Sequence, residues 1–591
     1  MSGRTYAPVR RFASYRGGAV KGRAPILRYL PLAAIVIVQI LIIAIAPSKS
    51  PGELGGLASG PGGSTAFDGT GDPTGEGGPG GVAIDPTTGQ PISGGASGGG
   101  PGGGPGGPGG GGGQAAGPTG DTSHCVGGRQ YDPAVYPYSP PCVGKWAGGN
   151  NGGATYRGVT GDTIKIVKYL GNLGEAVDAL LTAQGANPGM QNHQNFARAV
   201  ETFAANRYEL YGRKVSIEVI QGRCKSVPPD YPCLRNEMRE IVQSRQPFWV
   251  NWHTSLASPA FDELSRLKVM NSGGWGFRDI FNQQRRPYHW DLLMGGSQHM
   301  RHVADWYCKR MHGGRAEHAG EARLQAMNRV VGVISTDDPE NRLAIRELKD
   351  LMQQQCGAQI AKEYYYAQDI NTAQQQRDAA YRKMKEAPEA TTIICFCDLV
   401  APIFLYQTCE EQRYYPEHVV IGSGYMDADA AAQAYDNTLP PRGTQFHNAF
   451  GLAQQPKAEF REANAATRVW RESGRTGAPH QAMAAEWDHY GMILAMLQSA
   501  GPNLNPLTVE AGALRMGEIT PEGRQNEYMN PRGFGRGDYT WIKGMREVFW
   551  SPNQQSPFNR QNGTYVTLNN GRWFYPGEYP SGLLKLPPKP R

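Results

Sequence analysis

Beyond residue 160 the apolar positions fall into two alternating rhythms. Short apolar runs at 163–170 (TIKIVKYL), 214–220 and 248–252 read as strands. Between them, 192–208 places Phe196, Val200 and Phe203 at helical spacing, and 233–244 reads as a second helix. Ser258 and Pro259 read as a helix start, with Ser as N-cap and Pro at the first helical position. Past a helix at 300–311 the cycle repeats, with strands at 330–335, 360–367, 391–396 and 419–422 and helices at 341–354 and 372–385. Strands alternating with helices predict parallel sheets covered on both faces, and two successive runs predict two Rossmann-like α/β lobes. Ligands of open α/β sheets bind at the carboxyl ends of the strands, so two facing lobes place a ligand in the cleft between them.

The N-terminal pattern is different. Residues 29–46 (YLPLAAIVIVQILIIAIA) are apolar except for Gln39, and at 1.5 Å per residue they span about 27 Å, enough to cross a bilayer. Arg4, Arg10, Arg11, Arg16, Lys21, Arg23 and Arg28 meet no acidic residue before Glu53. This one-sided charge predicts a cytoplasmic tail (1–28), a membrane anchor (29–46) and everything later outside the cytoplasm, a single-pass protein of the cell membrane. Ala44-Ile45-Ala46 also fits a leader-cleavage site; the long basic region and Pro47 directly after the cut favour a retained anchor. Residues 47–122 carry no periodicity, and 98–113 hold only Gly and Pro. Such a segment buries too little surface to offset chain entropy and reads as a disordered tether with a typical end-to-end distance of about 50 Å.

Composition confirms this division. Most of the excess among 79 Gly and 44 Pro lies before residue 123, which leaves 123–591 as one large domain of ordinary composition. The net charge of +7 is concentrated in the tail, so no basic face suited to nucleic acid is expected. All nine cysteines follow the anchor, as an oxidising compartment allows. Cys125 with Cys142 and Cys224 with Cys233 read as local staples, Cys308 with Cys356 as a third bridge, and Cys409 as the partner of Cys397 or Cys395, with connectivity open. The spacing of Cys395 and Cys397 is wrong for a zinc knuckle, and no metal or cofactor is expected. No G-x-S-x-G elbow, H-E-x-x-H, P-loop or full G-x-G-x-x-G is present, so the chain does not read as an enzyme.

The stretch NGGATYRGVTGDTIKIV before and within the first strand resembles the start of mature type I periplasmic solute-binding proteins, the leucine/isoleucine/valine-binding family that feeds ABC importers. The preface ending in PPCVGKWAGGNNGG resembles that of a surface-exposed branch of the family. EWDHYGMILAMLQSAG (486–501) is similar to its late helix, and MREVFWSP with GTYVTLNNGRWFYPGEYP (545–580) to its closing hairpin.

The resemblance implies three hinge crossings, near 297, 440 and 540. The first lobe then takes about 160–297 and 440–540, the second about 298–439 and 541–580. It also implies that the first lobe holds a ligand carboxylate with hydroxyls and N–H groups at Thr254, Ser255 and Ser258, where a helix N-terminus favours an anion. Ser272 and Trp275 supply a second wall. In the second lobe Asp338, Asp398, Tyr425 and Asp427 stand at strand ends suited to an ammonium. Six of these have a plain structural alternative: helix capping for Ser258, Asp338 and Asp398, a turn for Thr254 and Ser255, core packing for Trp275. Trp249, Trp252 and His253 depart from the family, where small residues are frequent, and put the size of the pocket in question. The implied function is an extracytoplasmic receptor that captures a small polar ligand, an amino acid or similar, for an ABC permease. The alternative is a surface-anchored sensor or display module that keeps the fold.

Overall fold

The first alternating run folds into a sheet of five parallel strands: β1 (Thr163–Asn172), β2 (Lys214–Lys225), β3 (Trp249–Ser255), β4 (Met270–Gly274) and β5 (His289–Trp290). Their order is β2-β1-β3-β4-β5, and Ile166 of β1 registers with Ile217 of β2 and Trp249 of β3. The second run repeats the winding with β6 (Val331–Thr336), β7 (Ile360–Tyr366), β8 (Thr392–Phe396), β9 (Glu417–Val420) and β10 (Ala449–Ala453), parallel in the order β7-β6-β8-β9-β10. β11 (Arg546–Gln555) and β12 (Asn562–Thr567) extend that edge as the expected antiparallel hairpin. In each parallel set the second strand lies outside the first and the later strands run off the other side. This places a topological switch point between β1 and β3, and another between β6 and β8. These observations come from a computed structural model that describes residues 120–136, 138–183, 187–255, 257–437, 445–520 and 525–587.

The core follows the periodicity of the chain. The helix Gly189–Arg207 buries Phe196, Val200 and Phe203, and the helix Pro339–Cys356 buries Ala344, Ile345, Leu348 and Met352. Along β8 the side chains alternate between two cores: Ile394 and Phe396 join the one that reaches into the first lobe, Ile393 and Cys395 the one behind the second sheet.

The chain passes between lobes three times. After β5 it enters the second lobe through the helix Gly296–Arg310, it returns after β10, and it crosses again before β11. The crossings are tied together: Asp291 pairs with Thr540 in a parallel bridge, and Trp541 N–H donates to Asp291 O (2.8 Å). Gln454 joins them, accepting at Oε1 from Met294 N–H (3.1 Å) and at its backbone O from Asn530 Nδ2 (2.6 Å). The second crossing is therefore at Gln454, not near 440, because β10 belongs to the second sheet. The helix Ser258–Arg266 also starts differently from expectation. Its N-cap is Ala257, with no side-chain cap, and Ser258 is already helical.

Three disulfides join Cys125–Cys142, Cys224–Cys233 and Cys308–Cys356, as read from sequence. The fourth joins Cys395 to Cys397, and Cys409 is a buried free thiol, so the expected bridge to Cys409 is not formed. Alternate residues of an extended strand share one face at a spacing of about 6.6 Å. β8 ends at Phe396, and beyond it the chain contracts to a Cα separation of 5.2 Å that brings the two sulfurs together. Among the described residues no helix is long and apolar enough to cross a membrane. The expected cytoplasmic tail and anchor, and the tether up to 119, lie outside the described residues.

Candidate ligand-binding cleft

The carboxyl ends of both sheets open on one cavity of about 760 Å³. Tyr169 and Gly171 of β1, Trp252 of β3 and Trp275 after β4 line it from the first lobe; Tyr366 of β7, Asp398 after β8 and Tyr425 after β9 line it from the second. This is the cleft that the two switch points define. Trp252 packs edge-on against Tyr169 with ring centroids 4.5 Å apart and stands in the wall without filling the space. Trp249 points the other way, fully buried, and its indole Nε1 donates to Ser272 Oγ (2.9 Å).

The predicted residues separate into three groups. Trp275, Asp398, Tyr425 and Asp427 line the cavity. Ser258, Ser272 and Asp338 do not. Ser272 Oγ is bound by Trp249 and by His489 Nε2 (2.7 Å) and is fully buried. Asp338 caps its helix, accepting from the N–H groups of Glu340 (2.9 Å) and Asn341 (3.4 Å), and burial pushes its pKa up to about 6. The side chains of Thr254 and Ser255 lie outside the described ones.

Asp398 is in the wall but already occupied. Oδ1 accepts from the N–H groups of Val400 (2.7 Å) and Ala401 (3.0 Å) at the start of the helix Ala401–Glu411. Oδ2 accepts from the Tyr366 hydroxyl (2.9 Å) and Gln368 Nε2 (3.0 Å). With four donors converging on it, Asp398→Ala should lower stability by about 1–2 kcal/mol, the scale of a lost helix-start acceptor. Urea melts of the variant test this, and an unchanged midpoint would contradict the structural role. Asp427 differs. Its Oδ2 takes the N–H groups of Gln454 (2.7 Å) and Gln455 (2.8 Å), while Oδ1 meets no hydrogen-bond donor among the described residues. Burial pushes Asp427 up to about 6.

The lobes meet at Trp275, whose ring lies edge-on to Phe396 of β8 (5.7 Å). A Cβ on Gly424 would sit 3.4 Å from that ring, and with φ +51° the position suits glycine twice over. Tyr425 beside it also holds a positive φ, +67°. Burial raises its hydroxyl pKa well above the ordinary range, helped by the charges of Asp488 and Glu486.

Sequence reading missed the polar groups of the late helix Met483–Ser499. Glu486 lines the cavity and pairs from behind with Lys168 of β1 (2.7 Å), which is fully buried; His193 Nδ1 lies 3.9 Å from the same carboxylate. Burial holds His193 down to about 4, against the pull of Glu486. Asp488, on the same helix, binds Arg532 Nη2 (2.9 Å), and Arg532 stacks on Tyr138 with 3.6 Å from guanidinium carbon to ring centre. A signal for the first pair was available: a lysine in a central parallel strand, which is buried on both faces, needs a charged partner.

No family model and no curated protein matches the chain. Solved structures do. A possible leucine/isoleucine/valine-binding protein from Rhodopirellula baltica matches with a TM-score of 0.49 and 10% identity, covering 69% of this chain and 96% of that one. A branched-chain amino acid ABC transporter structure from Thermus thermophilus with bound valine matches at 0.49 and 8%, covering 70% and 97%. A solute-binding protein of an ABC transporter from R. palustris, in complex with benzoate, matches at 0.47 and 11%, covering 69% and 95%. The structures to which this chain is similar are thus leucine/isoleucine/valine-binding and other solute-binding proteins of ABC transporters.

Proposed function

We propose that this protein is an extracytoplasmic receptor that captures a small polar solute, an amino acid or similar compound, between its lobes and presents it to an ABC permease. The observation that carries the reading is the convergence of both sheets' carboxyl ends on one cavity, between lobes joined by three crossings that meet at Gln454. Crossings gathered on one side leave the lobes free to hinge, and a ligand touching both stabilises closure through contacts absent from the open form. The disulfides suit an oxidising compartment, and a retained anchor at 29–46 would hold the receptor at the membrane.

Calorimetry with the twenty L-amino acids and their carboxamides, followed by small-angle scattering with the tightest binder, tests this. Binding with compaction is the expected result. If no compound binds, the display or sensor reading replaces the receptor.

A further inference from the structure

The segment before the first strand reads from sequence as a stapled preface, yet it reaches the cleft. Gln498 clamps it to the late helix: Nε2 donates to Gln130 Oε1 (3.2 Å) and to Pro141 O (3.1 Å), near the two ends of the Cys125–Cys142 loop. From that loop Tyr136 and Tyr138 enter the cavity wall. Tyr136 is buried, packs on Phe203 with centroids 4.9 Å apart and donates its hydroxyl hydrogen to Glu472 (2.5 Å). Tyr138 donates to Asn530 Oδ1 (3.0 Å) and accepts from Asn530 N–H (3.1 Å). Its ring covers the Arg532 guanidinium at 3.6 Å, and Arg532 is 1% exposed.

We propose that the stapled segment supplies specificity-determining residues to the cleft: Tyr136 and Tyr138 form one wall of the ligand site, and Tyr138 keeps the Arg532 charge covered. This rests on the receptor reading. Both rings are fixed by hydrogen bonds at their far ends, so they present a rigid surface rather than one that repacks around any ligand. A carboxylate meets a guanidinium in its plane through the N–H groups, and here Nη2 is held by Asp488 and Nε by Asn530 Oδ1 while Tyr138 covers the face. The site therefore selects against ligands with acidic side chains, although it contains a buried arginine. The staple holds this wall in place by restricting the segment that carries it.

The test uses the full chain and the same twenty L-amino acids and carboxamides, titrated into wild type, Tyr138→Ala and Tyr138→Leu. The leucine variant keeps most of the buried apolar volume and lacks only the π face and hydroxyl, so it stays informative if the alanine variant does not fold. The expected result is that the tightest wild-type binder weakens about tenfold, as an aromatic contact is lost. Aspartate and glutamate should stay low in rank, because Asp488 still holds Arg532 in the variant. A folded Tyr138→Leu protein that binds the panel with wild-type affinities and rank order overturns this inference and leaves the receptor reading standing. A wild type that binds nothing in the panel overturns both.

Discussion

Lys168→Met should lower stability by about 3–5 kcal/mol at pH 8, because it breaks a buried ion pair by removing one partner. Lys168 lies in β1, fully buried, with Nζ 2.7 Å from Glu486. Burial pushes the lysine pKa down, and Glu486 opposes that shift. Without the lysine, Glu486 is a nearly buried anion. His193 at 3.9 Å is held down to about 4 in the wild type chiefly by burial, which the substitution leaves in place, so it does not replace the charge at pH 8. Glu486 should then take up a proton well above the ordinary carboxylate range. The sign follows. A carboxyl whose folded pKa lies above its unfolded value stabilises the fold at low pH, and that contribution is lost as pH rises through the folded pKa. The variant's deficit should therefore be small near pH 4 and complete at pH 8. Urea melts at both values check it, and Lys168→Met/Glu486→Gln should recover most of the loss. A deficit below about 1 kcal/mol at pH 8 would show that solvent reaches the pair.

Removal of Cys308–Cys356 by double serine substitution should cost more than removal of any other bridge. The bridge closes a loop of sequence separation 48 and ties the helix Gly296–Arg310 to the end of the helix Pro339–Cys356. On the chain-entropy account it contributes about 4 kcal/mol. The Cys125–Cys142 loop, separation 17, is worth about 3 kcal/mol, the Cys224–Cys233 loop, separation 9, about 2.5, and the Cys395–Cys397 pair, separation 2, about 1. Thermal melts of the four double variants test the ranking. If the Cys308/Cys356 variant is the least affected, loop closure does not govern these bridges.

The elements legible in the sequence are those whose apolar residues are periodic or form a run set off by polar flanks. The helix Gly189–Arg207 and the strands β1 and β2 set buried positions against exposed ones at a period that can be read, whereas β6, β8 and β9, buried along their whole length, stand out as short apolar runs between polar segments. The helix Ala401–Glu411 (APIFLYQTCEE) and β10 (AFGLA) were not read as elements. Every residue of β10 is buried, and the helix mixes buried Thr408 and Cys409 with half-buried Phe404, so neither shows a clean apolar period.

The site divides along the same line. Alternation of strands and helices, and the cleft at their carboxyl ends, follow from the chain alone, because connections in such sheets are short and right-handed. Which polar groups face the cleft depends on partners far apart in sequence. Ser272 is taken up by His489, Arg532 by Asp488 and Tyr138, and Lys168 by Glu486. Asp338 and Asp398 both follow strands and both precede helices, yet only Asp398 reaches the cavity. Local sequence determined that each would find donors at a helix start. Only the packing of one lobe against the other decided which of them stands in the wall, because a cavity is what the close-packed interior leaves over and belongs to no single segment of the chain.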